Sequence, residues 1–254
     1  MPQMLARYEF KYLITEAQRK RIREVARSFC IPDAFGVMGT YWVNSLYTDT
    51  TDYRTARETL AGIKNRFKSR MRTYGWGEQD PVFMELKRRV GTSIVKGRAL
   101  VSRPVARAIA LSGTHDRFEA LKASHQEDLE DYRNMTDRLD LRPTVWVRYQ
   151  REAWVSAFPD GARLTFDMHL QAQEPPVPER IMEPALDRFQ MVHWDGPPMV
   201  LELKFNGAFP MWMHRIVHSL GLRRISFPKY VQCAQLVHEQ PWARLERPLA
   251  GVLL

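Results

Sequence analysis

Residues 63–74, IKNRFKSRMRTY, carry cations at 66, 68, 70 and 72. Side chains alternate faces along a strand with period two. Arg66, Lys68, Arg70 and Arg72 therefore share one face, opposite Phe67 and Met71. Same-face cations at consecutive positions repel one another on a plain solvent face. Four of them make better sense facing a polyanion, which predicts a sheet with one charged and one apolar face.

Other segments repeat the pattern. In 5–12, LARYEFKY, Arg7, Glu9 and Lys11 oppose Tyr8, Phe10 and Tyr12. In 81–90, PVFMELKRRV, Glu85, Lys87 and Arg89 oppose Met84, Leu86 and Val90; in 199–205, MVLELKF, Glu202 and Lys204 oppose Leu201, Leu203 and Phe205. Any one of these strands reads more simply as a sheet with its polar face in water. Together they predict apolar faces outside, under helices, and charged faces inside. Buried charges without partners cost many kcal/mol, so such an interior must be wet or filled with counter-charge. Phosphate chains supply that charge, because Arg offers bidentate donors and Lys point charges. The acids Glu9, Glu85, Glu202 and Asp167 are oxygen donors suited to Mg²⁺ or Mn²⁺. Metal beside Lys and Arg is equipment for phosphoryl transfer.

The remaining segments supply the frame. Further strands are predicted at 40–48, 92–101, 144–155 and 162–169, with a turn at Gly75-Trp76-Gly77 and a hairpin near Gly91. Thr15 and Gln18 form a capping-box pattern for a helix running to about Phe29. Residues 104–135 have mostly helical spacing and read as an insertion between strands. The proline-rich segment between 169 and 199 reads as a long loop. Pro210 and Pro228 open two final helices, the first stopping at Gly221. The expected fold is α+β: a closed antiparallel β-tunnel with a charged interior and helices on the outside. No linker or repeat interrupts 1–254, so one domain is expected.

The net charge of +9 favours polyanionic partners. Nucleic-acid binding would interleave aromatics with the cations for stacking on bases; here the aromatics mostly lie on the opposite face. Cys30 and Cys233 are the only cysteines and form no CxxC, which argues against a disulfide framework or structural zinc. The N-terminus MPQMLARYEFKY has no apolar run of a signal peptide, and no stretch approaches the length of a membrane span. A soluble, cytoplasmic protein is expected. No GxxxxGK[ST], GxGxxG or HExxH occurs. Ser226 and the cysteines lack an evident activating partner, so nucleophilic catalysis is not indicated.

The motifs RYEFKY, SLYTD, KSRMRTYG, MELKRR, SIVKGR, VRYQREAW, RLTFD, VLELKF and SFPKY occur in this order over residues 5–238. In that order they resemble the polyphosphate polymerase domain of the vacuolar transporter chaperone (VTC) family, within the CYTH-like triphosphate tunnel superfamily. The resemblance implies an eight-stranded tunnel and a metal-dependent enzyme that moves the γ-phosphate of ATP onto inorganic polyphosphate. It implies phosphate contacts from Lys11, Arg70, Arg72, Lys87, Lys96, Arg151, Arg163 and Lys229; Lys204, on the same face as Glu202, and Lys68, on the same face as Arg70, are added by the strand pattern. Arg70, Arg72 and Lys87 would act in catalysis with Glu202, the metal ligand; Glu9, Glu85 and Asp167 are further metal candidates. Ser226 stands where the eukaryotic pattern has a second lysine, and the SPX and transmembrane parts that accompany the eukaryotic domain are not expected. Two readings stay open beside the polymerase: a tripolyphosphatase or nucleoside/thiamine triphosphatase of the same fold, and a non-catalytic polyphosphate-binding module. Metal identity, acceptor, chain length and oligomeric state are left open.

Overall fold

The computed structural model describes residues 7–91, 93–112 and 118–238. In chain order the elements are β1 (Arg7–Ile14), α1 (Glu16–Ala26), β2 (Cys30–Pro32), β3 (Thr40–Asp49), α2 (Arg54–Leu60), β4 (Arg66–Thr73), β5 (Val82–Val90) and β6 (Ser93–Val101). There follow α3 (Arg103–Ser112), α4 (Gln126–Leu139), β7 (Arg142–Ser156), β8 (Arg163–Gln173), β9 (Gln190–Met191), β10 (Met199–Asn206), α5 (Met211–Ser219) and α6 (Lys229–His238). An antiparallel sheet with six α-helices among the described residues makes the protein α+β. The expected strands at 5–6 and 92, the insertion at 113–117 and the last helix beyond 238 fall partly outside the described residues.

Two compact units are present. The described residues of the first lie within Met1–Trp42, Tyr149–Leu170 and His193–Phe227. Its strands follow the order β1-β10-β8-β7, with β2 on the other side of β7. Register sets the faces: Phe10 pairs with Leu203, Tyr12 with Leu201, and Leu201 with Phe166. This apolar face is covered by Ile22 and Ala26 of α1 and by Trp212, Met213 and Ile216 of α5. Burying each large side chain stabilises the unit by roughly 1.5–3 kcal/mol. The capping box forms as expected: Thr15 Oγ1 accepts from the Gln18 amide at 3.2 Å, and Gln18 Oε1 from the Thr15 amide at 2.9 Å. The helix stops at Ala26, not Phe29, because Cys30–Pro32 is drawn into pairing with Ser156–Trp154. A buried acid ties α1 down: Glu152 accepts from Arg19 at 2.6 Å and Trp154 at 2.8 Å, and pairs with Arg23 at 3.0 Å.

The described residues of the second unit lie within Val43–Arg148, Gln171–Val192 and Pro228–Leu254. Its strands follow the order β7-β3-β4-β5-β6. Phe67, Met71, Met84, Leu86 and Ala99 form the apolar face, packed with Ala106 and Ile109 of α3 and Leu129 and Tyr132 of α4. The expectation that helices cover the apolar strand faces therefore holds inside each unit. The β4–β5 connection is held by Arg103, which donates to the carbonyls of Gly75, Gly77 and Met182, each at 3.0 Å. A Cβ at Gly75 would stand 2.1 Å from Asp80 Oδ2, so a larger residue there would have to move that carboxylate off the Gly77 amide. The outer side of β6 does not present a bare edge. Asp128 accepts from the Arg98 amide, His125 Nδ1 from the Leu100 amide, and the Leu121 amide donates to the Leu100 carbonyl.

Helix α2 lies in a segment to which the sequence assigned no element. Its N-cap residue, Tyr53, supplies no side-chain bond. Asp49, at the end of β3, does so instead, accepting from the amides of Thr55 at 2.9 Å and Ala56 at 3.0 Å. A carboxylate at a helix N-terminus also matches the helix dipole. No described helix is long and apolar enough to cross a membrane.

Candidate functional site

The charged strand faces gather into one cluster in each unit. In the second unit the register places Lys68 opposite Lys87, and Lys87 opposite Lys96. Three lysines thus form a row across three strands. The next row carries Arg70, Glu85 and Arg98 in the same alignment. Glu85 is 1% exposed. Its carboxylate lies 2.6 Å from Arg70, 3.8 Å from Arg72, 3.3 Å from Lys96 and 3.2 Å from Arg98. Burial would raise its pKa, but the charges of Arg70, Arg72 and Lys96 outweigh that and hold it far below the usual carboxylate range. Arg70 is fixed at a second point, Nη1 donating to Tyr47 Oη at 2.8 Å. Arg72 Nε donates to Ser45 Oγ at 3.2 Å. Burial lowers the pKa of Lys96, opposed by Glu85 and reinforced by Arg70 and Arg98. Cations aligned directly opposite one another across three strands make this face one where an anion is welcome.

In the first unit, Glu9 stands opposite Lys204 and Lys11 opposite Glu202. Lys11 Nζ lies 3.2 Å from Glu9 and 3.4 Å from Glu202; Lys204 Nζ lies 3.1 Å from Glu202 and 3.9 Å from Glu9. Arg151 grips Asp167 with two bonds of 2.7 and 2.8 Å and reaches Glu202 at 3.2 Å. Burial lowers the pKa of Lys204, Glu202 and Glu9 oppose this, and Arg151 adds to it. Arg151 stays firmly charged, since Asp167, Tyr149 and Glu202 outweigh its burial.

The two other sequence candidates lie differently. Arg163 is opposite Lys204 in the register and is paired with Asp33, at the end of β2. Lys229 opens α6 and is almost fully buried in the second unit. Arg98 was absent from the sequence reading, although its period-two relation to Lys96 places it on the same face. Tyr47, Ser45 and Asp33 carry no such signal, because only pairing between distant segments brings them to the cations.

The donors can be tested for a divalent metal. Among the described residues no group of three or more Asp, Glu, His or Cys is arranged to hold one. A small hard cation does not need such a cage; it takes one or two carboxylates and completes its shell with water and substrate phosphate. Glu9 and Glu202 fit this, since both touch the same two lysine ammonium groups. Glu85, Asp167 and Glu202 all have both oxygens in contact with Lys or Arg, so a metal at Glu202 would displace Lys11, Lys204 or Arg151 from it.

The family profile described as VTC domain matches residues 6–238. No curated protein matches the chain. Among solved structures it is similar to a candidate adenylate cyclase from Bacillus halodurans (13% identity, 88% of this chain and 94% of that one, TM-score 0.51). It is also similar to a candidate adenylyl cyclase from Hippeastrum described as having a dominant triphosphatase activity (11% identity, 93% and 99%, TM-score 0.50). At these identities the likeness is one of fold.

Proposed function

This chain belongs to the VTC domain family, and on that premise we propose that it is a metal-dependent enzyme acting on triphosphates, transferring the γ-phosphate of ATP to inorganic polyphosphate. The observation that carries the reading is the aligned row of Lys68, Lys87 and Lys96 beside Arg70, Arg72 and Arg98. Like charges placed directly opposite one another destabilise a sheet, and a phosphate chain relieves that cost. The closed, charge-lined tunnel implied by the resemblance is part of this proposal. So is treating residues 1–254 as one domain, with the helices of 104–135 as an insertion.

In the proposed reaction a terminal phosphate oxygen of the acceptor attacks Pγ in line. The bond from Pγ to the β–γ bridging oxygen breaks, and ADP leaves with that electron pair. Arg70, Arg72 and Lys87 neutralise charge spreading over the transferred group. Lys11, Lys68, Lys96, Arg151, Arg163, Lys204 and Lys229 hold or steer the remaining phosphates. Glu202 and Glu9 would hold Mg²⁺ or Mn²⁺, which when bound neutralises phosphate oxygens and helps align them. Glu85 and Asp167 keep the cations in place.

Transfer is preferred to hydrolysis for one reason. A phosphate acceptor is already anionic and needs no base, whereas water benefits from one. Glu85, with its depressed pKa and four cationic neighbours, is a poor base. Hydrolysis remains the second reading, favoured by the triphosphatase activity described for the Hippeastrum protein of this fold. Incubation with ATP and Mn²⁺, followed by gel analysis of polyphosphate and assay of free phosphate, tests the choice. Polymer that disappears in Glu202→Ala supports transfer. Free phosphate without polymer supports hydrolysis. Neither product, with tripolyphosphate still bound, leaves a binding module.

A further inference from the structure

Arg70 meets its neighbours in a fixed sequence of contacts inside the second unit. Its Nε donates to Glu85 Oε2 at 2.7 Å and its Nη1 to Tyr47 Oη at 2.8 Å. Its guanidinium carbon lies 5.6 Å from the centroid of the Tyr47 ring. Behind Tyr47, the ring of Tyr230 stacks at 4.8 Å and 17°. The Tyr230 hydroxyl donates to Asp49 Oδ2 at 2.6 Å. Asp49 is itself immobilised by the amides of Thr50, Thr55 and Ala56 and the Thr55 hydroxyl. Tyr230 is 1% exposed and Asp49 fully buried. Burial, and the Asp49 carboxylate beside it, push the Tyr230 pKa well above its ordinary value, so the hydroxyl remains a donor.

We propose that Tyr47, backed by the stacked ring of Tyr230, is a positioning residue that sets the plane of the Arg70 guanidinium for phosphate. The inference rests on the proposed phosphate-binding role of the Arg70 cluster. A planar fork recognises phosphate only when its plane is aligned with the oxygens, which a flexible lysine does not require. Glu85 Oε2 holds the Nε and Nη2 edge of that plane, and the Tyr47 hydroxyl holds Nη1 on the other side. Tyr47 cannot swing away while Tyr230 fills the space against its ring, and Asp49 holds Tyr230 at its far end. The capping of α2 by Asp49 explains the carboxylate but not the stack, because the helix amides would be satisfied without either tyrosine.

Tripolyphosphate binding by calorimetry, on full-length protein whose fold is checked by circular dichroism, tests this. Tyr47→Phe should weaken binding roughly two- to tenfold, the worth of one hydrogen bond. Tyr230→Leu should do the same, and Tyr230→Phe, which keeps the ring, should restore most of the loss. In an Arg70→Lys background, which keeps the charge but not the fork, Tyr47→Phe should have no further effect. An equal effect of Tyr47→Phe in both backgrounds overturns the inference, as does unchanged binding in folded Tyr47→Phe. Should Tyr230→Leu not fold, the Tyr47→Phe comparison decides alone. Wild-type binding in Arg70→Ala overturns the phosphate-site reading as well; loss in Arg70→Ala with wild-type binding in both tyrosine variants overturns the positioning role only.

Discussion

Lys68 of β4 and Lys87 of β5 are direct cross-strand partners, and Lys96 of β6 extends the same row. Like charges so placed repel one another, and a bound anion offsets that repulsion. Lys87→Ala should therefore reduce the rise in melting temperature that tripolyphosphate gives. It should weaken tripolyphosphate binding by roughly tenfold or more, the scale of one charge-assisted bond. Thermal unfolding with and without tripolyphosphate measures both. An undiminished rise with unchanged affinity would contradict the role assigned to the row.

Glu202 and Asp167 share Arg151 but should fail differently. Asp167 gives both oxygens to the guanidinium. Asp167→Ala leaves a buried cation short of its partner and should cost about 3–5 kcal/mol in urea unfolding. Glu202→Gln retains the side-chain volume and one carbonyl acceptor. It should unfold closer to wild type while losing Mn²⁺-stimulated turnover of ATP. Equal loss of stability in the two variants would mean that Glu202 is structural rather than a metal ligand.

Glu85 gives a pH dependence with a definite sign. Its folded pKa lies below its ordinary value of 4.5. Its contribution is therefore complete above that ordinary value and declines as pH falls toward the folded one. Wild-type protein should lose more stability between pH 5 and pH 3 than Glu85→Gln, read as the difference in urea unfolding free energy. Parallel pH profiles would show that the cations around Glu85 do not hold its charge.

The cysteines should be inert in the folded protein. Burial, with Asp160 nearby, pushes the Cys30 thiol up to about 12. Burial also raises Cys233. At pH 8 the thiolate fraction of Cys30 is on the order of one in ten thousand, and the thiolate is the reactive form. A chromogenic disulfide reagent at pH 8 should label neither residue in native protein and both in guanidinium. Fast labelling of native protein would show that the strand pairing of Cys30 opens readily.

Glu152 should prove the anchor of α1. It binds Arg19, Arg23 and Trp154 from a position 3% exposed. Glu152→Ala leaves Arg23 and the Trp154 indole without this acceptor, while Arg19 keeps Glu16, and should cost about 1–3 kcal/mol. Glu152→Gln, which keeps one acceptor, should cost less. Indistinguishable urea unfolding curves for wild type and Glu152→Ala would remove the anchor.

Local rules were sufficient for the parts of this protein that depend on neighbours in sequence. Period-two alternation predicted which residues of 66–72 and 81–90 share a face, and the Thr15–Gln18 box predicted where the first helix begins, because both are set within a few residues. The ordered motifs were enough to recognise the family. Local rules did not identify α2, whose cap comes from Asp49 several residues upstream, nor the end of α1, set by pairing with β7. Only the tertiary structure decided which charge answers which. Around Glu85, β4 brings Arg70 and Arg72, and β6 brings Lys96 and Arg98. Tyr230 meets Asp49 across 181 residues of chain. The sequence determined the inventory and facing of the charges; their partners follow from strand register and long-range packing, which no local pattern encodes.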